Sequence, residues 1–260
     1  DAHEYTPGQY QASGSLKKWL VPPAIRYLMK KYSPKVTASF TVSEAIAEKL
    51  KQEFRLNPIV VLNAPEYHEI PQHKLDPEKI RLIHHGIAQR NRHLEKMIQA
   101  LALCDHRYEL SFMLVEHDNG YIQALQKLTN EIAPGRVLFL EPVSPEDIIN
   151  ILHQYDIGFF LLEPVHESYL HALPNKFFDF LMAGLAVCIG PSPEMAKIVQ
   201  NYKCGCIAPT FKPEDVARVI NQTSAVQWET MRTTAREAAK IFNAENEMGK
   251  VLNAINDCLL

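Results

Sequence analysis

The stretch Glu163-Pro-Val-His-Glu-Ser-Tyr-Leu-His-Ala-Leu-Pro-Asn-Lys-Phe-Phe-Asp-Phe-Leu-Met-Ala-Gly184 decides how the chain is read. It leaves an apolar strand, crosses a polar loop and enters a helix at Pro174. Proline suits a first helical position, because its missing N–H would have no partner there and its φ is already set. Gly184, after Ala183, closes the helix. Phe177, Phe178, Phe180, Leu181 and Met182 take up nearly every face, which predicts a buried helix with only its amino end at a cleft. Free N–H groups and the positive end of the helix dipole at that point, with Lys176 in the first turn, favour an anion.

Outward from this helix the pattern is regular. Strands are predicted near 80–85, 110–115, 136–140, 156–161, 186–190 and 205–207, with helices near 94–103, 119–130, 145–153, 174–183 and 192–200 between them. Each strand is a nearly continuous apolar run, as in a parallel sheet covered on both faces. The fold class is therefore α/β, doubly wound, with ligands expected outside the carboxyl ends of the strands where strand order reverses. Segments after 85, 140 and 161 emerge at that edge. Ser144-Pro-Glu-Asp and Ser192-Pro-Glu read as N-caps followed by proline. Residues 212–258 are mainly helical, ending in a helix from about Glu245 to Cys258.

Upstream, residues 1–10 read as a loop leaving a strand whose beginning is cut away. Residues 15–32 are basic and aromatic, and Pro22-Pro23 predicts two short helices there. Such a face either lies on an anionic membrane surface or packs its aromatics inward. Val36 to Val42 predicts a strand, Ser43 caps a helix to about Phe54, and Pro58 to Leu62 predicts another strand. Residues 64–78 carry three prolines without periodicity and read as a linker. Because the chain opens on Asp1 rather than Met, a fragment or processed product is expected.

Composition narrows the function classes. With 260 residues, 47% hydrophobic and 22% charged, the chain suits a globular protein of one large or two ordinary domains. A net charge of −3 argues against a nucleic-acid binder, and no run of about 18 apolar residues exists to span a bilayer. Five cysteines in a chain of this size favour reduced thiols in the cytosol. Cys204-Gly-Cys206 is too closely spaced for a zinc knuckle, so no metal is expected.

Two segments carry candidate chemistry. His84-His-Gly86-Ile-Ala-Gln-Arg90-Asn-Arg92-His-Leu-Glu-Lys96 joins the first strand of the regular region to its first helix, where α/β folds hold phosphates. Gly86 admits close backbone approach and two arginines supply charge, although the run is neither a dinucleotide fingerprint nor a P-loop; a plain basic surface loop is the alternative. In the opening stretch Glu163, His166, Glu167, Lys176 and Asp179 flank the apolar helix. Paired carboxylates there, Glu163 or Glu167 with Asp179, also fit a hydrolase.

The run from His85-Gly86 to Ala100, Val137-Leu-Phe-Leu-Glu-Pro-Val143, Asp156-Ile-Gly, Leu173-Pro-Asn-Lys176, Phe178-Asp179 and Leu181-Met-Ala-Gly184 together resemble the retaining GT-B glycosyltransferases that use nucleotide sugars, the group 1 or family 4-like enzymes. Asp1-Ala-His-Glu, Thr41-Val-Ser43 and Asn63-Ala resemble that family's amino-terminal domain. The resemblance implies a complete donor-binding domain over residues 79–240, a partial amino-terminal domain over 1–65, a linker over 66–78 and a terminal helix over 241–260 crossing back.

It also implies roles. Arg92, with Arg90 nearby, lies against the donor diphosphate, Gly86 lets backbone approach it, and Val143 meets the nucleobase. Leu173, Pro174, Asn175 and Lys176 cover the diphosphate and sugar, Asp179 meets the ribose, and His3 is the active-site histidine. The family's first acid falls at His171 here, which leaves Glu163, His166 and Glu167 as candidates for the donor sugar. The implied reaction moves a sugar from a nucleotide-diphosphate donor to a hydroxyl of a glycan or lipid-linked acceptor, without cofactor or metal, in cell-surface polysaccharide or glycoconjugate synthesis. Expected partners include an anionic membrane through residues 16–35, at the inner face of a cytoplasmic membrane, and no nucleic acid. The alternatives are a non-catalytic nucleotide-sugar or partner-binding module and a sugar-nucleotide epimerase.

Overall fold

The structure, a computed structural model, describes residues 17–164, 167–170 and 172–259. The expected roles of His3, His166 and His171 lie outside the described residues. Two parallel sheets form among those described. The small one pairs β1 (Phe40–Thr41) with β2 (Ile59–Val60). The large one contains β3 (Ile80–Ala88), β4 (Tyr108–Glu116), β5 (Val137–Leu140), β6 (Ile157–Phe160), β7 (Ala186–Ile189) and β8 (Gly205–Ile207), in the order β5-β4-β3-β6-β7-β8.

Strand order reverses between β3 and β6. β3 pairs with β4 along its full length, from Ile80↔Tyr108 to Ala88↔Glu116. Against β6 it keeps register only at Leu82↔Ile157 and Ile83↔Gly158. From His84 onward the two central strands are no longer paired, which is the geometry of a ligand crevice at a switch point. The β3 side chains Ile80, Leu82, Ile83 and His84 are fully buried, as expected for a strand covered on both faces.

Helices α1 (Lys17–Tyr32) and α2 (Glu44–Phe54) accompany the small sheet in sequence. Those of the large sheet are α3 (Glu95–Ala102), α4 (Tyr121–Ile132), α5 (Ile148–Leu152), α6 (Glu167–Leu170), α7 (Asn175–Met182), α8 (Pro193–Tyr202), α9 (Pro213–Gln222), α10 (Ala225–Ala239) and α11 (Ala244–Leu259). Buried Phe177, Phe178, Phe180, Leu181 and Met182 seat α7 in the core. The fit is tight enough that a Cβ on Gly158 of β6 would lie 2.2 Å from Phe180 Cγ. No described helix is long and apolar enough to cross a membrane.

Local expectations need four corrections. Pro22 and Pro23 do not split the first helix, which runs unbroken over Lys17–Tyr32 although each proline removes one donor from its second turn. The strand expected over 36–42 shrinks to Phe40–Thr41, since its partner β2 offers just two residues. Pro174 is extended (φ −75°, ψ 147°) and precedes the helix as its N-cap, so Asn175 is the first helical residue. Neither Ser144 nor Ser192 caps through its side chain: the Ser144 hydroxyl donates to Asp147 Oδ2 at 2.8 Å, and that of Ser192 donates to the Leu162 carbonyl at 3.5 Å. Ser43 does cap α2, accepting from Ile46 N–H.

Residues 61–76 contain no helix or strand, as a linker reading requires, but they are fastened along their length. Glu247 accepts from Leu62 N–H (2.9 Å), Glu245 from Tyr67 N–H (3.1 Å), and Leu75 is buried in the large core. His73 Nε2 meets the fully buried Asp156 at 2.8 Å, beside Arg232, which is 2% exposed.

Candidate active site at the strand-order switch

β3 ends at Ala88 and the chain turns through a short 3-10 segment, Arg90–Arg92, before α3. This turn is fixed from α4 and the loop before it. Asp118 Oδ2 accepts from Arg90 N–H at 2.7 Å, and the Tyr121 hydroxyl accepts from Leu94 N–H at 2.9 Å while donating to Glu95 at 2.6 Å. The exposed Arg90 guanidinium lies 5.0 Å from the Tyr121 ring centre, whereas Arg92 is half-buried with an Nε that finds no acceptor.

From the other side α7 sends Lys176 into the crevice. Its ammonium nitrogen is buried, 4.9 Å from the Phe160 ring centre, and it occupies the space beside Gly86 that a side chain would fill. A Cβ on Gly86 would fall 2.6 Å from Lys176 Nζ, and the φ of +127° at Gly86 is itself disfavoured for other residues. His84 supplies the nearest polar partner. Its Nδ1 is 3.0 Å from the Phe159 carbonyl, which only accepts, so Nδ1 carries the proton and Nε2 accepts from Lys176 Nζ at 3.4 Å.

Burial and like charge act together on these groups. Lys176 falls from 10.5 to about 7 through burial and the Arg92 charge, with Asp179 opposing. Burial, then Lys176, pushes His84 well down, so it is a neutral imidazole. His85 is held near 3 for the same two reasons. Its Nε2 is 3.5 Å from Asp179 Oδ2 and makes no hydrogen bond. Burial raises Asp179 from 3.8 to about 7, against the pull of Lys176.

Of the candidates, Gly86, Arg92, Lys176 and Asp179 come together here. Glu163 borders the group in an ion pair with Lys96 at 2.5 Å, which links the segment after β6 to α3 across the switch point. Leu173 and Pro174 are half-buried where the chain enters α7, Asn175 is exposed at its first position, and Val143 is half-buried beyond β5. Arg90 is turned to Tyr121 instead. His84 and His85 join the group without having been assigned a role by the sequence; their signal is a pair of titratable side chains at the ligand end of an apolar strand. Among the described residues no cluster of metal-ligating side chains occurs. The arrangement sets two basic side chains, Lys176 and Arg92, beside the glycine backbone at the carboxyl end of β3.

No protein-family model matches the chain, and no curated protein matches its sequence. Solved structures do resemble it. A Staphylococcus aureus TarM mutant in complex with fondaparinux, alpha-GlcNAc-glycerol and UDP superposes with a TM-score of 0.72 over 90% of this chain, at 14% identity. HepE of Anabaena in complex with UDP-glucose gives 0.68 over 90%, also at 14% identity. WaaG, a glycosyltransferase involved in lipopolysaccharide biosynthesis, gives 0.62 over 92% at 14% identity. The chain spans 46% of that TarM, 68% of HepE and 69% of WaaG. Its sheet order and its likeness to these proteins identify the chain as having the GT-B fold of glycosyltransferases.

Proposed function

We propose that the chain is the donor-binding part of a nucleotide-sugar glycosyltransferase. The observation that carries this reading is the convergence of two basic side chains, Lys176 and Arg92, on the glycine backbone of β3 at the switch point, with no ion pair to either among the described residues. A departing nucleoside diphosphate is the counter-ion such a pair lacks, and stabilising that charge is the largest contribution a site of this kind makes to transfer. On this reading Lys176 and Arg92 hold the diphosphate, Asp179 meets the ribose, and neither metal nor cofactor takes part. The wider assignments are also part of the proposal: retention at the sugar carbon, a glycan or lipid-linked hydroxyl as acceptor, His3 near the reacting sugar, and the division at residues 66–78. Peripheral contact with an anionic membrane is placed on α1, whose Trp19 and Tyr27 are 79% and 63% exposed beside Lys30 and Lys31.

The test is a thermal-stability screen against nucleoside diphosphates and their sugars, followed by calorimetry. Lys176→Ala and Arg92→Ala are each expected to weaken the best binder at least tenfold, given charge-assisted bonds of about 1.5–3 kcal/mol. Unchanged affinity in both would remove the proposal's basis.

A further inference from the structure

We propose that nucleoside diphosphate binding at this site draws one proton from solution onto Lys176 Nζ, with His84 as the positioning residue that holds the amine ready to take it. The inference rests on the diphosphate reading above and adds to it a mechanism of charge regulation. The Lys176 nitrogen is buried and has a neutral imidazole as its hydrogen-bond partner. The titratable and charged groups facing it are His84 and His85 from β3, Arg92 from the following turn, and Asp179 from its own helix. Among the described residues Asp179 is the one acid of this group, and burial raises its carboxyl to about 7.

A buried amine facing an arginine resists charging until an anion arrives. The same arrangement lowers Lys176 to about 7, so above that value the free site holds mainly the neutral amine. A diphosphate oxygen against Nζ reverses the balance, and the nitrogen lone pair accepts a proton from the buffer acid. His84 makes this orderly. With Nδ1–H fixed on the Phe159 carbonyl, Nε2 can only accept, so it orients an N–H of Lys176 in both charge states and leaves the other hydrogens free for the ligand.

The test is calorimetry of UDP, with GDP, ADP and inorganic pyrophosphate as parallel probes, at pH 8 in buffers of different ionisation enthalpy. At pH 8 the last phosphate ionisation, near pH 6, is complete, so protons taken up go to the protein. Uptake of 0.5 to 1 proton per diphosphate is expected at pH 8, in the manner of linkage at about one pH unit above the free value. Lys176→Arg, which cannot lose its charge in this range, is expected to abolish it. His84→Phe is expected to weaken binding about tenfold at pH 8 and shift the onset of uptake to lower pH, on the order of one hydrogen bond to a charged group, while His84→Gln restores an acceptor and much of the affinity. Side-chain NMR of 15N-lysine-labelled wild type checks the same step without substitution, as conversion of a neutral amine into ammonium on adding UDP. Binding without proton uptake, or uptake that survives in Lys176→Arg, overturns the inference and leaves the diphosphate site standing. Absence of binding by every probe overturns both.

Discussion

Lys176 and Asp179 occupy one helix three residues apart, and burial displaces them in opposite directions. The native lysine binds fewer protons than the unfolded one between about 7 and 10.5, so stability rises with pH across that window. The native carboxyl holds a proton that the unfolded one releases between 3.8 and about 7, so stability falls as pH rises there. Together they cut a valley centred near neutrality, each limb on the order of a few kcal/mol. Denaturant melts across pH are expected to show Lys176→Met more stable than wild type at pH 7, with the alkaline limb gone, and Asp179→Asn lacking the acid limb. Parallel profiles for wild type and Lys176→Met would show that the lysine is not displaced. Gly86 belongs to the same balance: Gly86→Ala puts a methyl where Nζ sits and forces a disfavoured φ, so loss of nucleoside diphosphate affinity is expected by calorimetry.

At this scale the sequence was informative about charge and silent about contact. Lys176 was legible because the first turn of a helix at the ligand edge is a local feature. His84 was not, because its role depends on the Phe159 carbonyl, 75 residues away, and on the point where β3 and β6 cease to pair. Arg90 and Arg92 look alike in sequence; Tyr121 separates them by offering its ring to one of them.

Among the elements, α7 and the base of β6 respond to different forces. α7 is held by packing: Phe178 is fully buried and meets Phe242 at a tilt, 5.7 Å between ring centres. Phe178→Ala is expected to cost about 3–5 kcal/mol in chemical denaturation. Asp156, immediately before β6, is held by charge and hydrogen bonds. It accepts from Arg81 N–H at 2.8 Å and meets His73, with Arg232 Nη1 at 3.8 Å. Asp156→Asn removes the fully buried charge and leaves Arg232 with Glu229 alone, so a loss of about 1–3 kcal/mol is expected by the same measurement. A change below about 1 kcal/mol would show that Glu229, 2.9 Å from Arg232, suffices alone. Strand positions were readable as apolar runs, and helices as the stretches between them. Caps were read less well, because a serine before proline satisfies the local pattern whether its hydroxyl turns to the helix, to Asp147 or to Leu162.

For the whole molecule, alternation of strand and helix dictates a parallel sheet, while strand order comes from packing between distant segments and had to be seen. The same holds for residues 61–76. Their prolines and charges argue for a free tether, and locally nothing contradicts it. Hydrogen bonds from the far end of the chain do: α11 meets this segment through Glu245, the buried Glu247 and the Ala244 amide, which donates to the Pro65 carbonyl at 2.9 Å. Glu247 is central, since it accepts from Leu62 N–H and is also held by Lys250 at 2.6 Å. If these bonds fasten the segment next to β2, Glu247→Ala should release residues 60–67 locally while the large sheet stays intact. Hydrogen exchange is then expected to speed up at the Leu62 and Tyr67 amides by tenfold or more, the equivalent of about 1.4 kcal/mol of local stability, with β3 and β6 amides unchanged. Equal acceleration across the sheet would mean that α11 supports the core as a whole, and no acceleration would mean that the segment is held by Leu75 and His73 without help from α11.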